Sequence, residues 1–247
     1  MGSEQIKAIV ATPVKDSVEN TLETIAAVRA NKVAIDHYVY NDFSSAETKQ
    51  ALEQHKVRYG YRLVHLEDLT SHPSPNYRLV LRDAQRQALK KNVPLILVES
   101  DVVIEADTIK KMLDFYGQHR SVGLVGAITV DEEGNVNFPY LRFKDEPVEA
   151  GRLGRSYVEV RKSLSFCCTL ISLEFLREYD FVYLNESKDW FDIFISNQAL
   201  AMGFKNYLLC DVPVVHRPHG SRPWKQMKYK NPVKYYLLKF LKRRDKI

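Results

Sequence analysis

Short apolar runs alternate with amphipathic stretches along this chain. Ile6–Ala11 reads as a buried strand, and Thr12-Pro13-Val14-Lys15-Asp16-Ser17 stops it. A helix is predicted from about Val18, with Leu22, Ile25, Ala26 and Val28 near helical spacing and Ser17 placed to cap it. His37–Tyr40 is a second strand, ending in Asn41-Asp42-Phe43-Ser44-Ser45, and a helix over Ala46–His55 follows. Tyr61–Leu66 is a third strand. After the turn-rich Ser71-His72-Pro73-Ser74-Pro75, a long helix runs from Asn76 to Lys90, and a fourth strand lies at Leu95–Val98. The second half predicts a helix over Asp107–Tyr116, strands at Val122–Ile128 and Ser165–Leu173, and a short helix over Leu173–Tyr179. A helix over Phe191–Met202 is stopped by Gly203, and late strands follow at Tyr207–Cys210 and Val212–Val215.

Strand and helix in repeated alternation predict an α/β fold with a mainly parallel sheet and helices on both faces. Such sheets bind ligands beyond the carboxyl ends of their strands. Thr12, Asn41–Ser44 and Glu99–Asp101 all fall at those ends, so three polar loops converge on one edge. The stretch Asp131–Ser165 breaks the pattern with turn signals and many charges, and reads as an inserted hairpin or mobile loop. The expected organisation is a catalytic domain over residues 1–222 and a basic tail over residues 223–247.

Charge sharpens that division. Lys225–Ile247 holds nine Lys or Arg against one Asp, a net of +8, which leaves 27 basic against 30 acidic residues elsewhere, a net of −3. The whole-chain excess of +5 therefore describes the tail and not the body. In the tail, Asn231-Pro232 makes a helix start. Val233, Tyr236, Leu237, Phe240 and Leu241 then recur at helical spacing among Lys234, Lys239, Lys242, Arg243 and Arg244. That pattern suits a helix lying on an anionic membrane surface, and equally one packing its apolar stripe on the catalytic domain. Nucleic acid is not expected, since no module for it is recognisable. Three cysteines, Cys167, Cys168 and Cys210, make no disulfide or zinc framework and read as buried thiols. No apolar run approaches a membrane span and no secretory signal is visible, so a cytoplasmic location, peripheral on the inner membrane face at most, is expected.

The chemistry centres on Glu99-Ser100-Asp101, where an apolar strand ends in two acids. Side chains alternate along a strand, so an extended Glu99 and Asp101 point to the same side. Two carboxylates there repel each other and are costly to bury unpaired. A hard divalent cation, Mg²⁺ or Mn²⁺, relieves both problems through oxygen ligands; two solvated acids are the plain alternative.

Taken together, these segments resemble a family 2 glycosyltransferase of the GT-A fold, over roughly Lys7 to Gly220 with the middle insert unmatched. Thr12-Pro13-Val14 stands at the family's opening nucleotide loop, and Tyr40-Asn41-Asp42-Phe43-Ser44-Ser45 at its aspartate-rich loop for base and ribose. Leu81-Arg82-Asp83-Ala84 is similar to its Ala-Arg-Asn helix segment. Glu99-Ser100-Asp101 stands at its Asp-x-Asp motif, with Glu in place of the first Asp. Phe191-Asp192 occupies its Glu-Asp motif, ahead of Gly203-Phe204, and Val214-Val215-His216 resembles its late histidine.

The resemblance implies a metal-dependent, inverting sugar transferase, acting in polysaccharide or lipid-linked glycan assembly. It would use a nucleotide-diphosphate sugar as donor and a glycan or lipid-linked glycan as acceptor. Asp101 and His216 are then the metal ligands. Thr12, Pro13, Val14, Asp42, Ser44, Arg82, Glu99 and Ser100 contact the nucleotide-sugar, and His219, Ser221 and Arg222, near Arg217, suit the diphosphate. The acceptor hydroxyl needs a base; Asp192 is the candidate and Asp189 its competitor. A nucleotidyltransferase normally shows a Gly-rich phosphate loop, which Thr12–Lys15 does not offer. A non-catalytic nucleotide-sugar-binding or scaffold domain is the remaining rival, kept open by Glu99 and the single Asp42.

Overall fold

The protein is described by a computed structural model covering residues 5–137, 154–161, 163–185, 190–217 and 231–241. Among the described residues nine strands form one sheet: β1 (Ala8–Val14), β2 (Ile35–Asn41), β3 (Arg62–His65), β4 (Leu95–Val98), β5 (Val102–Val103), β6 (Val122–Val130), β7 (Tyr157–Val160), β8 (Cys168–Ile171) and β9 (Lys205–His216). The helices are α1 (Val18–Arg29), α2 (Ala46–Tyr59), α3 (Tyr77–Lys91), α4 (Thr108–Gln118), α5 (Leu173–Glu178), α6 (Phe191–Ala201) and α7 (Pro232–Leu241). Strand order is β3-β2-β1-β4-β8-β6-β9-β5, with β7 also on β9. All pairs among β1–β4 are parallel, as is β6 with β9, while β8 runs antiparallel to both β4 and β6.

Alternation along the strands builds two cores. Ile9, Ala11, Leu95 and Leu97 face Leu81, Ala84, Ala88, Phe175 and Ile195 on one side. Ala8, Val10, Ile96 and Val98 face Val28, Ile109, Met112 and Phe115 on the other. Every residue of β4 is therefore fully buried, which is why it reads as a continuous apolar run. A smaller cluster of Val14, Ile25, Val39, Leu52 and Tyr61 seats α1 and α2 against the sheet.

Several local expectations need correction. The first strand does not stop at Thr12 but runs to Val14. β4 pairs with β1 only as far as Ala11, so Pro13 lies beyond the last place where that edge needs an N–H. Ser17 does not cap α1 with its side chain; it sits at φ 59° and only its carbonyl accepts, from Thr21 N at 3.0 Å. The two late strands are one, β9, whose register against β6 jumps from Leu209 to Pro213, so Cys210–Val212 is a bulge rather than a break. Two strands escaped the reading: β5 is only two residues long, and β7 lies inside the predicted insert, paired to the first half of β9. The rest of that insert lies outside the described residues, apart from residues 131–137, 154–161 and 163–165.

The C-terminal helix α7 starts as expected. Asn231 caps it, accepting from Lys234 N at 3.0 Å. Among its described side chains Tyr235 is buried, at 4% exposure, while Val233, Tyr236 and Leu237 are 77%, 56% and 56% exposed. Among the described residues no helix is long and apolar enough to cross a membrane.

Candidate active site

The site is assembled by strand register. β4 ends at Val98, and Glu99–Val102 forms a tight turn closed by Val102 N donating to Glu99 O at 3.1 Å. Glu99 and Asp101 therefore stand in a turn, not on an extended strand, and their nearness has a cause other than strand alternation. β4 pairs antiparallel with β8 through Val98 and Cys168. Continuing that register sets Glu99 opposite Cys167, and Glu99 N donates to Cys167 O at 3.0 Å. On the other side β5 pairs antiparallel with β9 through Val102 and His216. That register sets Asp101 opposite Arg217, whose N–H donates to Asp101 O at 2.9 Å.

Asp101 is buried, at 5% exposure, and its Oδ2 lies 3.9 Å from His216 Nε2. Asn137 Nδ2 donates to the His216 carbonyl at 2.8 Å and holds the end of β9. Ser100 occupies the corner of the turn, partly exposed. The ligand atoms of Glu99, Cys167 and His216 all lie within 4.8 Å of one another. Oxygen, nitrogen and sulfur donors so gathered suit a divalent metal ion.

Cys167 is the functional candidate that the sequence reading passed over. It is buried, with its Sγ 3.0 Å from Ser165 Oγ and 3.9 Å from Glu99 Oε2. Burial pushes its thiol well up; the Glu99 charge adds to this, the Ser165 hydrogen bond opposes it, and Asp101 and Asp192 add less. Asp192 stands on a different element. It lies in the first turn of α6, its Oδ1 accepting from Ile193 N at 2.8 Å. Asp189, His219, Ser221 and Arg222 lie outside the described residues.

The upstream loops are braced against each other rather than open. Thr12 is fully buried, and its Oγ1 is 2.9 Å from His37 Nε2, so its hydroxyl faces the interior. Val14 belongs to the core, and Pro13 is partly exposed. Asp42 is buried as well. Its carboxylate accepts from Ser74 Oγ at 2.8 Å, Asn76 N at 2.9 Å and Asn76 Nδ2 at 2.8 Å. Ser44 Oγ accepts from Asp16 N at 3.0 Å, Asp16 Oδ1 accepts from Ser45 N at 2.7 Å, and Lys15 Nζ reaches the Phe43 carbonyl. Asp16, Ser17 and Phe43 all carry positive φ, so strained backbone concentrates where these two loops meet.

The remaining cationic expectations separate. Arg82 is exposed on α3, whereas its neighbour Asp83 is buried and accepts from Tyr40 Oη at 2.8 Å and pairs with Arg86. Arg217 is not held for a diphosphate: its guanidinium grips Glu23 of α1 through both terminal nitrogens, and Glu132 through Nε at 2.8 Å.

No curated protein sequence gives a significant match. Among solved structures, residues 1–349 of TarS from S. aureus superpose with a TM-score of 0.64 at 17% identity, covering 85% of this chain and 60% of that one. The same protein in complex with UDP-GlcNAc gives 0.60 at 14%, covering 87% and 60%. The mannosyltransferase PcManGT from Pyrobaculum calidifontis, in complex with GDP-Man and Mn²⁺, gives 0.61 at 12%, covering 96% and 65%. The chain thus spans 60–65% of the length of these structures and shares their GT-A fold. Residues 9–180, carrying β1–β4, the Glu99–Asp101 turn and Cys167, match the sequence pattern of glycosyl transferase family 2, and the chain belongs to that family.

Proposed function

We propose that the chain transfers a glycosyl group from a nucleotide-diphosphate sugar to a hydroxyl of a glycan or lipid-linked acceptor, with inversion at the anomeric carbon. The observation that carries this reading is the meeting of the Glu99–Asp101 turn and His216 at the carboxyl ends of the strands in a family 2 chain. The neighbours solved with UDP-GlcNAc and with GDP-Man support a nucleotide-sugar donor.

Each residue has a task in that reaction. The β1–α1 and β2–α2 loops form the floor for the nucleotide. Pro13 and Ser44 are its partly exposed contacts, while Asp42 shapes the loop through Ser74 and Asn76. Arg82, Glu99 and Ser100 border the sugar diphosphate, with His219 and Arg222 its further contacts. Asp101 and His216 are suited to hold a divalent ion, Mn²⁺ or Mg²⁺. When bound, such an ion stabilises negative charge on the departing diphosphate. The Asp192 carboxylate takes the proton from the acceptor hydroxyl as its oxygen attacks the anomeric carbon, and Asp189 is the alternative base.

Two variants separate these roles. Asp192→Asn should lower transfer by about 10²–10⁴ while leaving nucleotide affinity by calorimetry unchanged. Asp101→Ala should weaken Mn²⁺-dependent nucleotide binding by about tenfold or more. Unchanged nucleotide affinity in Asp101→Ala, with and without Mn²⁺, sinks the metal assignment; unchanged transfer in Asp192→Asn moves the base elsewhere.

For the tail, the proposal is a helix lying on an anionic membrane surface. Its support is the outward pattern of Val233, Tyr236 and Leu237 around the inward Tyr235, in a segment whose net charge is +8.

A further inference from the structure

Glycosyl transfer as described gives Cys167 no task, although it lies at the centre of the site. Its backbone is fixed by the bond from Glu99 N, and its Sγ lies 3.9 Å from Glu99 Oε2. His216 closes the cluster, with all three ligand atoms within 4.8 Å of one another. The three donors stand on separate strand ends of one sheet: after β4, before β8 and at the end of β9. Oxygen-loving ions such as Mg²⁺ and Mn²⁺ gain little from a sulfur ligand, whereas Zn²⁺ takes sulfur, nitrogen and carboxylate oxygen together.

We propose that Glu99, Cys167 and His216 form a site for a thiophilic divalent ion, zinc in particular, which overlaps the Asp101–His216 site and so excludes the hard ion. Tetrahedral zinc with ordinary bond lengths separates one sulfur, one nitrogen and one oxygen donor by roughly 3.3–3.6 Å. The Glu99–Cys167 spacing of 3.9 Å is already close to that, and the 4.8 Å limit of the set needs side-chain adjustment of at most about 1.5 Å. Three protein donors leave a fourth position open, the arrangement of a non-structural zinc site. The buried thiol loses its proton to solvent as the sulfur–metal bond forms, so uptake releases one proton. Because His216 serves both ions, occupancy by one excludes the other. Only the consequence for turnover, inhibition by zinc, rests on the glycosyl-transfer reading; ion binding itself does not.

Cobalt(II) added to the whole chain tests this directly. The expected result is a near-ultraviolet thiolate-to-cobalt charge-transfer band that zinc abolishes. It should be lost in Cys167→Ser and kept in Cys210→Ser, whose thiol is the half-buried one. Competition against a chromogenic chelator should show zinc bound about tenfold or more weakly by Cys167→Ser. Circular dichroism checks that the variant is folded, and Cys167→Ala replaces it if it is not. A wild-type chain with no charge-transfer band, or a band that survives in the Cys167 variants, overturns the proposal, as does equal zinc affinity. A cobalt band through Cys167 in a chain that, freed of cobalt and zinc and supplied with Mn²⁺, transfers no sugar keeps this inference and ends the glycosyl-transfer reading. Transfer activity without the band does the reverse.

Discussion

Asp42 and Thr12 stand at nucleotide-loop positions, yet both spend their side chains inside the protein. Asp42 accepts three hydrogen bonds from Ser74 and Asn76. Asp42→Asn sets an amide donor against those donors and should cost about 1–3 kcal/mol. Thermal melts should show the loss, and hydrogen exchange should place the loosening at residues 72–76; an unchanged melting temperature removes the bracing role. Thr12 bonds to His37, whose imidazole burial pushes down to about 3. A buried neutral histidine stabilises the fold fully above the ordinary histidine range near 6.5. Below that pH the unfolded chain takes up a proton that the folded one refuses. Stability should therefore fall between about pH 6.5 and 3, with His37 contributing on the order of 1 kcal/mol per pH unit. His37→Gln should flatten denaturant-derived stability over that window; an equally steep profile assigns the acid sensitivity to other groups.

At the scale of elements, close approach and buried polar bonds hold the site's walls. A Cβ added to Gly123 of β6 meets Ala199 Cβ at 2.9 Å, Asn206 Oδ1 at 2.9 Å and Phe204 Cβ at 3.0 Å. Asn206 cannot simply yield, because its Oδ1 accepts from Leu124 N at 3.2 Å and its Nδ2 donates to Ser196 O at 2.9 Å. Gly123→Ala should thus push α6 outward and destabilise by about 1–3 kcal/mol. Since α6 carries Asp192, a fall in kcat larger than the stability loss accounts for is expected; a variant with wild-type melting and turnover denies the contact its importance. Gln85 of α3 does similar work for the connection out of α5, donating to Leu176 O and Tyr179 O at 2.9 and 2.7 Å while accepting from Phe181 N at 2.9 Å. Most of these elements were legible in the sequence, because burial on both sheet faces leaves continuous apolar runs and helix faces leave a 3.6 period. β5 and β7 were not. A two-residue strand has no periodicity, and β7 alternates half-exposed residues within a charged stretch.

For the whole molecule, one body slightly negative in net charge and a positive tail are joined in a single chain. If the outward residues of α7 meet lipid, Tyr236→Asp and Leu237→Asp should lower co-sedimentation with anionic vesicles about tenfold while leaving the melting temperature in place. Binding that persists, or melting that drops with it, points instead to packing on the body. The sequence by itself determined the α/β class, the strand-end loops and the family, since each depends on local pattern or on the order of short segments. It also located Glu99, Asp101, Asp192 and His216 as residues worth watching. Only the tertiary structure decided how they meet. Antiparallel pairing of β4 with β8 sets Glu99 against Cys167, and pairing of β5 with β9 brings His216 to Asp101. Register between strands 70 to 114 positions apart leaves no local trace, so a thiol that reads as core in sequence stands in the structure at the centre of the donor cluster.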